Sequence, residues 1–136
     1  LRDFLVNRCR NFIFATAPSP LVAACVRAAL RLCAQADERR AALHARIDLA
    51  QRALAALCDV TPSATQIQPV IVGSDARAMS LAARLQAQGY DIRAIRPPTV
   101  PEGTARLRLS LTLNVSDEQT TQLIAHLGDA LAEERA

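Results

Sequence analysis

The chain contains no lysine and no tryptophan, and aromatic residues make up only 3% of its 136 positions. All 16 basic side chains are arginine, so these residues cannot supply the side-chain amine that forms a Schiff base. The arginines are interspersed with acidic residues, and the formal net charge is only +3. Because there is neither a basic stripe nor an aromatic stacking surface, we expect no nucleic-acid partner.

Long apolar runs are missing as well. No segment reaches the roughly 18 apolar residues of a membrane span, because Arg27 and Arg31 interrupt the most apolar stretch, residues 20–36. Charged residues also break up the first ten positions, which therefore do not form the apolar centre of a signal peptide. We expect no membrane partner and a cytoplasmic location.

Cysteine is sparse, and its spacing carries no metal or redox motif. None of the four cysteines forms a CxxC pair or has a histidine at ligand spacing. The pattern predicts reduced thiols that pack in the core as small apolar residues, and no metal site. The four are Cys9, Cys25, Cys33 and Cys58.

What is present is a hydrophobic fraction of 51%, enough for one core in a chain of this length. Residues 11–16 form a short apolar, aromatic run that predicts a buried strand, which a proline-rich turn ends. Apolar spacings of three and four then predict helix over 21–58. This is either one long helix bent at the charged patch 37–40 or two helices in series. Residues 59–63 end it with turn chemistry.

The second half of the sequence has the order β-α-β-β-α. This order predicts an α+β fold, a small and mostly antiparallel sheet with helices on one face. Pro69 near the start of the first strand favours an edge position or a strand entry. Ser74 is predicted to cap a helix that Gly89 ends, and Ser116 and Gln119 form a capping box. The predicted elements are a strand over 67–73, a helix over 74–88 with Met79, Ala82 and Leu85 inward, strands over 90–96 and 105–113, and a last helix with Leu123, Leu127 and Leu131 inward.

The strand over 105–113 alternates leucine with polar residues. By the period of two, Leu107, Leu109, Leu111 and Leu113 share one face, and Arg106, Arg108, Ser110 and Thr112 share the other. Two guanidinium groups on a rigid strand can hold a carboxylate or phosphate through paired hydrogen bonds. The alternative is an ordinary solvated face of an antiparallel sheet.

Other candidate residues follow proline-rich turns or stand alone. Thr99 lies in the segment 97–103, where three prolines fix the backbone, and this loop either presents a ligand contact or is a stiff connector. Thr16 follows the predicted first strand, where loop residues often meet ligands. His44 and His126 lie in helical patterns without a partner at ligand spacing, so we expect surface or boundary positions.

Three strings carry a family resemblance that covers nearly the whole chain: FIFATA at 12–17, QPVIVGSDARAMSLAARLQAQGYDI at 68–92 and AIRPPTVPEGTARLRLSLT at 94–112. They resemble the C-terminal part of the α-oxoamine synthases, which are pyridoxal-phosphate enzymes. The resemblance implies a homodimeric parent chain nearly three times as long, whose Schiff-base lysine precedes Leu1. Residues 1–20 would end the large cofactor-binding domain, 21–60 would form the connecting helix, and 61–136 would form the small C-terminal domain.

The resemblance also implies roles for individual residues. Arg108 matches the arginine that binds the carboxylate of the amino-acid substrate, and Thr99 matches a loop threonine that contacts substrate. Ala15 and Thr16 match the pair that reaches the pyridoxal 5'-phosphate group of the neighbouring subunit, although relatives carry serine or threonine in place of Ala15. No family role comes with Arg106.

Within this family, the sequence of the proline-rich loop favours the enzyme of the biotin pathway. That enzyme condenses L-alanine with a pimeloyl thioester, carried on CoA or on an acyl carrier protein, and releases CO2. Without its lysine this chain alone would be inactive. The alternatives are the relatives that make 2-amino-3-ketobutyrate or 5-aminolevulinate, a free-standing carboxylate-binding α+β module, and a purely structural interaction domain.

Overall fold

The computed structural model describes residues 1–57 and 63–133, and the chain divides into two units, Leu1–Asp37 and Glu38–Ala136. In the described residues the elements follow the order α-α-α-β-α-β-β-α. They are α1 (Arg2–Arg8), α2 (Pro20–Ala34), α3 (Asp37–Leu57), β1 (Ile67–Gly73), α4 (Asp75–Ala87), β2 (Arg93–Ile95), β3 (Ala105–Ser110) and α5 (Asp117–Glu133). None of these helices is long and apolar enough to cross a membrane.

The second unit has the α+β architecture that its sequence predicts. Its sheet has the order β1-β3-β2, and both pairings are antiparallel. β3 is therefore the central strand, and Pro69 lies on the edge strand β1, where its missing N–H disrupts the sheet least. The helices pack on one face of this sheet and leave the other face open.

The core lies between this covered sheet face and α3, α4 and α5. Alternate residues of β1 and β3 supply it, as the period of two requires. Leu85 and Leu127 are fully buried as predicted, but Met79 is 48% exposed, so its predicted inward position is wrong. The inward face of α4 is instead carried by Ala78, Leu81, Ala82 and Leu85, at spacings of three and four.

Local hydrogen bonds confirm the predicted helix ends. The Ser74 hydroxyl accepts from the Arg77 amide at 3.3 Å at the start of α4. At the start of α5, the Ser116 hydroxyl accepts from the Gln119 amide at 3.2 Å, and the Gln119 side chain accepts from the Ser116 amide at 2.8 Å. Gly89 follows α4 with a φ of 91°, a conformation that favours glycine.

The helical segment before β1 consists of two helices in series, the second of the two predicted alternatives. α2 ends at Ala34, where the amides of Gln35 and Ala36 donate to carbonyls three residues back. α3 begins at Asp37, and the acidic residues of its first turn suit a new helix N-terminus. The predicted end of this segment at 59–63 falls largely on residues 58–62, which lie outside the described residues.

The first unit contains the clearest wrong predictions. Residues 11–16 are not a strand: the amides of Phe12 and Ile13 both donate to the Cys9 carbonyl at 2.9 Å, which curls the segment into turns. An apolar run becomes a strand only where another strand pairs with its backbone, and no described strand does so here. Cys25 and Cys33 are exposed, so their predicted place in a core is also wrong.

Candidate functional site

The open face of the sheet carries two arginines at fixed positions. On β3, Leu107 is buried in the core, whereas Arg106 and Arg108 lie on the opposite face. Strand pairing sets Arg108 beside Pro69 of β1 and Arg93 of β2. Because β3 is hydrogen-bonded to a strand on each side, the two arginine side chains are attached to a rigid backbone.

Both arginines line one concavity of about 340 Å³, and Thr99 lines it with them. Among the described residues, the lining contains two positive charges and three hydroxyl groups but no acidic side chain. Such a lining favours a small anion over a cation or an apolar ligand. The residues are Ser63, Thr65, Ile67, Pro69, Ile95, Thr99, Arg106 and Arg108.

The arginines of this face differ in what they already bind. Arg106 is half-buried, and its Nε donates to the Thr104 carbonyl at 3.0 Å. Arg93 Nε lies 2.8 Å from an oxygen of Asp91. Arg108 is exposed, and its guanidinium has no hydrogen bond or ion pair within residues 1–57 and 63–133. Its whole planar fork is therefore available for a carboxylate, which guanidinium binds through two parallel hydrogen bonds.

Two turns shape the loop that brings Thr99 to the concavity. In the first, the Thr99 amide donates to the Arg96 carbonyl at 3.0 Å, across a cis peptide bond between Pro97 and Pro98. In the second, the amide and the hydroxyl of Thr104 donate to the Pro101 carbonyl at 3.2 and 2.7 Å. The second turn needs a positive φ at its third residue, and Gly103 supplies it with a φ of 73°.

Ala15 and Thr16 belong to the first unit and follow its turns. The Ala15 amide already donates to the Phe12 carbonyl at 3.0 Å, and its side chain has no polar atom. Within the described part of the chain, neither the amide nor the hydroxyl of Thr16 has a hydrogen-bond partner. Of this predicted pair, Thr16 is therefore the residue with donors free for a phosphate.

Sequence reasoning missed the hydroxyl residues beside Arg108. The Ser63 and Thr65 hydroxyls are hydrogen-bonded to each other at 2.9 Å, and the Ile67 amide donates to Thr65 Oγ1 at 3.2 Å. The buried Gln68 side chain donates to the carbonyls of both residues, which fixes the approach to β1. The one available signal was the Ser-x-Thr spacing, which favours a local side-chain turn but does not indicate a ligand.

Another cavity of the second unit lacks the chemistry for an anion. It measures about 470 Å³ and lies between the end of α4, the start of α5 and the residues after β3. Its one charged lining residue is the acidic Asp91. Beside it the Tyr90 hydroxyl lies 3.0 Å from His126 Nδ1, which puts His126 at the boundary position expected of it. His44 is exposed.

Known proteins resemble this chain along most of its length. 8-Amino-7-oxononanoate synthase of Chromobacterium violaceum is 49% identical over 112 residues, which cover 82% of this chain and 29% of the relative. The enzyme of the same name from Ralstonia pickettii is 44% identical over 144 residues, which cover 98% of this chain and 35% of the relative. The chain thus spans about a third of the length of the curated relatives it matches.

Solved structures share the fold. The serine palmitoyltransferase of Sphingomonas wittichii matches with a TM-score of 0.84 and 27% identity, covering 97% of this chain and 34% of that one. The 8-amino-7-oxononanoate synthase of Francisella tularensis matches with a TM-score of 0.80 and 23% identity, covering 99% and 40%. A family model described as aminotransferase class I and II matches residues 1–127. The chain belongs to the aminotransferase class I and II family.

Proposed function

We propose that this chain is the C-terminal third of a pyridoxal-phosphate-dependent acyltransferase of the α-oxoamine synthase type. The whole protein would condense L-alanine with a pimeloyl thioester, release CO2 and form 8-amino-7-oxononanoate for biotin synthesis in the cytoplasm. The identity of 49% and 44% to synthases of that name supports the reaction. One observation supports the site: among the described residues, the Arg108 guanidinium has no partner and lies beside Thr99 in a concavity lined by no acidic side chain.

Arg108 would bind the carboxylate of L-alanine and so orient the amino acid. When bound, pyridoxal phosphate takes up the negative charge that develops on the amino acid's α-carbon. A carboxylate held at two points by Arg108 would fix the orientation of the α-carbon and so decide which of its bonds is placed for reaction. β3 suits this task because a guanidinium on a paired central strand loses little freedom on binding.

The residues present fit part of a cofactor site. Thr16 offers a free amide and a free hydroxyl to a phosphate oxygen, whereas Ala15 offers neither in this conformation. In a homodimer this contact would reach the phosphate held by the neighbouring subunit. Since the chain contains no lysine, the covalent link to the cofactor would come from another part of the whole protein.

The experiment that tests this role is Arg108→Ala in the full-length enzyme. We expect a loss of about 2–5 kcal/mol in L-alanine binding, roughly 30- to 4,000-fold in KM, because a charge-assisted pair is removed. Arg93→Ala is the matched control, since Arg93 lies on the neighbouring strand but is paired with Asp91. Thr99→Ala should cost about 1 kcal/mol, the value of a single neutral hydrogen bond. Unchanged KM in Arg108→Ala would exclude the assignment.

A second candidate is a synthase of the same type with another amino-acid substrate. The match to serine palmitoyltransferase, with a TM-score of 0.84 at 27% identity, supports this alternative. Arg108 would bind the carboxylate of alanine, serine or glycine equally well, so the concavity does not separate them. Comparing kcat/KM for the three amino acids with pimeloyl and palmitoyl thioesters distinguishes the two candidates.

A further inference from the structure

Arg106 and Arg108 lie on the same face of β3 but in different environments. Arg108 is exposed and unpaired within the described residues, whereas Arg106 is half-buried and donates from Nε to the Thr104 carbonyl. A guanidinium has five N–H donors in a rigid plane, so a bond from Nε restricts the orientation of the whole group. The two side chains therefore suit different roles, although the alternation in the sequence places both on the same face.

The bond from Arg106 acts on the loop that carries Thr99. This loop, residues 96–104, consists of the two turns described above, and each turn is closed by hydrogen bonds within itself. No hydrogen bond joins one turn to the other within the part of the chain that the structure describes. Arg106 adds a constraint where the second turn enters β3, because its Nε–H holds the carbonyl of Thr104, the residue directly before the strand.

We propose that Arg106 is a positioning residue: it holds the loop against β3 and thereby sets the place of Thr99 relative to Arg108. This inference rests on the proposed function, because it assigns Arg106 to the same amino-acid site. Arg106 acts through the loop, and its own guanidinium need not touch the substrate. Removing its Nε donor should loosen the loop while leaving the fork of Arg108 intact.

The first test follows the loop amides in the 136-residue chain by hydrogen exchange. Arg106→Lys keeps the positive charge but puts a methylene group at the position of Nε, and Arg106→Met removes the charge as well. We expect both variants to speed exchange of the Thr104 and Thr99 amides about tenfold, the effect of losing one hydrogen bond to a charged group. Arg108→Lys is the control and should leave both rates unchanged.

The second test measures KM and kcat for L-alanine in the full-length enzyme. A positioning role predicts that Arg106→Lys raises KM by up to about fivefold, the value of the whole Thr99 contact, with kcat within about twofold, because the mispositioned Thr99 weakens binding. A merely structural role would lower the folded fraction, and hence kcat, without moving KM. Arg93→Lys should match the wild type, since Arg93 lies outside the concavity.

The outcomes separate this inference from the proposed function. Unchanged exchange rates or an unchanged KM in Arg106→Lys would overturn the positioning role while Arg108→Ala still raises KM. Wild-type behaviour of Arg106→Lys combined with a loosened loop in Arg106→Met would also overturn it, since charge and not the Nε bond would then hold the loop. An unchanged KM in Arg108→Ala would instead reject the amino-acid site itself.

Discussion

The two units of this chain bury their apolar side chains very differently. All eighteen buried hydrophobic residues found in the described part of the chain lie in the second unit. Neither α1 nor α2 in the first unit has a single buried residue. Eleven of the sixteen large hydrophobic side chains found exposed in the described residues belong to the first 37 positions, including Phe14 at 96% and Leu21 at 72%.

The difference in apolar burial indicates which unit is stable on its own. Covering a large apolar side chain stabilises a protein by about 1.5–3 kcal/mol, and the first unit obtains almost none of this from its own residues. The second unit has a sheet, three helices and one shared core. We infer that it presents the arginine-lined concavity on a self-supporting scaffold, while the first unit needs apolar surface from elsewhere to gain a core.

The largest expected effect comes from separating the units. Residues 36–136 expressed alone should unfold cooperatively, with a free energy of unfolding within about 1 kcal/mol of that of the whole chain. Residues 1–37 alone should show neither a cooperative transition nor stable helix, because short helices without packing are marginal in water. Thermal circular dichroism on both pieces checks this. A loss of the cooperative transition in residues 36–136 would show that the second unit does not fold on its own.

A leucine-to-alanine substitution in each unit tests the difference in burial directly. Leu107→Ala in the centre of β3 should destabilise the chain by about 2–5 kcal/mol, since Leu107 is fully buried and its removal leaves a cavity. Leu30→Ala in α2 removes the same atoms from a side chain that is 65% exposed. It should change the free energy of unfolding by less than about 0.5 kcal/mol. Urea denaturation measures both, and equal effects would mean that α2 is packed.

The smallest effect concerns the serines that precede α5 and α2. Ser116→Ala should cost about 1 kcal/mol because the Ser116 hydroxyl caps α5. Ser19→Ala should cost almost nothing, since Ser19 makes no side-chain capping bond to α2. Chemical denaturation of the two variants tests the difference, and equal losses would show that the cap in α5 contributes nothing.

The Ser116 hydroxyl also affects how stability depends on pH. The hydrogen bond from Ser116 lowers the pKa of the Glu118 carboxyl below its ordinary value. A lowered folded-state pKa gives stability that is present above the ordinary glutamate pKa and is lost as the pH falls through the folded value. In Ser116→Ala the pKa of Glu118 should rise towards its ordinary value, which an NMR titration of that carboxyl measures.

Much of the second unit was predictable because local signals and packing agree there. The leucine alternation of β3, the capping box at Ser116 and the turn at Gly89 each fix a backbone position by short-range physics. The element order also led directly to the α+β fold. Prediction failed where an outcome depended on distant partners: residues 11–16 have a strand-like composition but no described strand to pair with.

Periodicity likewise identifies which face of a helix is apolar but not what covers it. α2 has the spacing of a buried helix, yet its apolar residues are exposed in this unit. For the site, alternation put Arg106 and Arg108 on one face. It could not show that the Arg106 side chain is bonded to the Thr104 carbonyl while that of Arg108 has no partner among the described residues, because this depends on how the loop folds back. The role of Arg108 itself stays a prediction.

Binding of L-alanine by Arg108 is tested by changing the enzyme and the ligand together. In the full-length protein, dissociation constants for L-alanine and its neutral amide are measured with Arg108 and with Arg108→Ala. If Arg108 binds the carboxylate, the wild type should bind L-alanine much more tightly than the amide, and Arg108→Ala should lose that preference. The coupling energy between the two changes should be about 2–5 kcal/mol. An equal preference in both proteins would contradict the account.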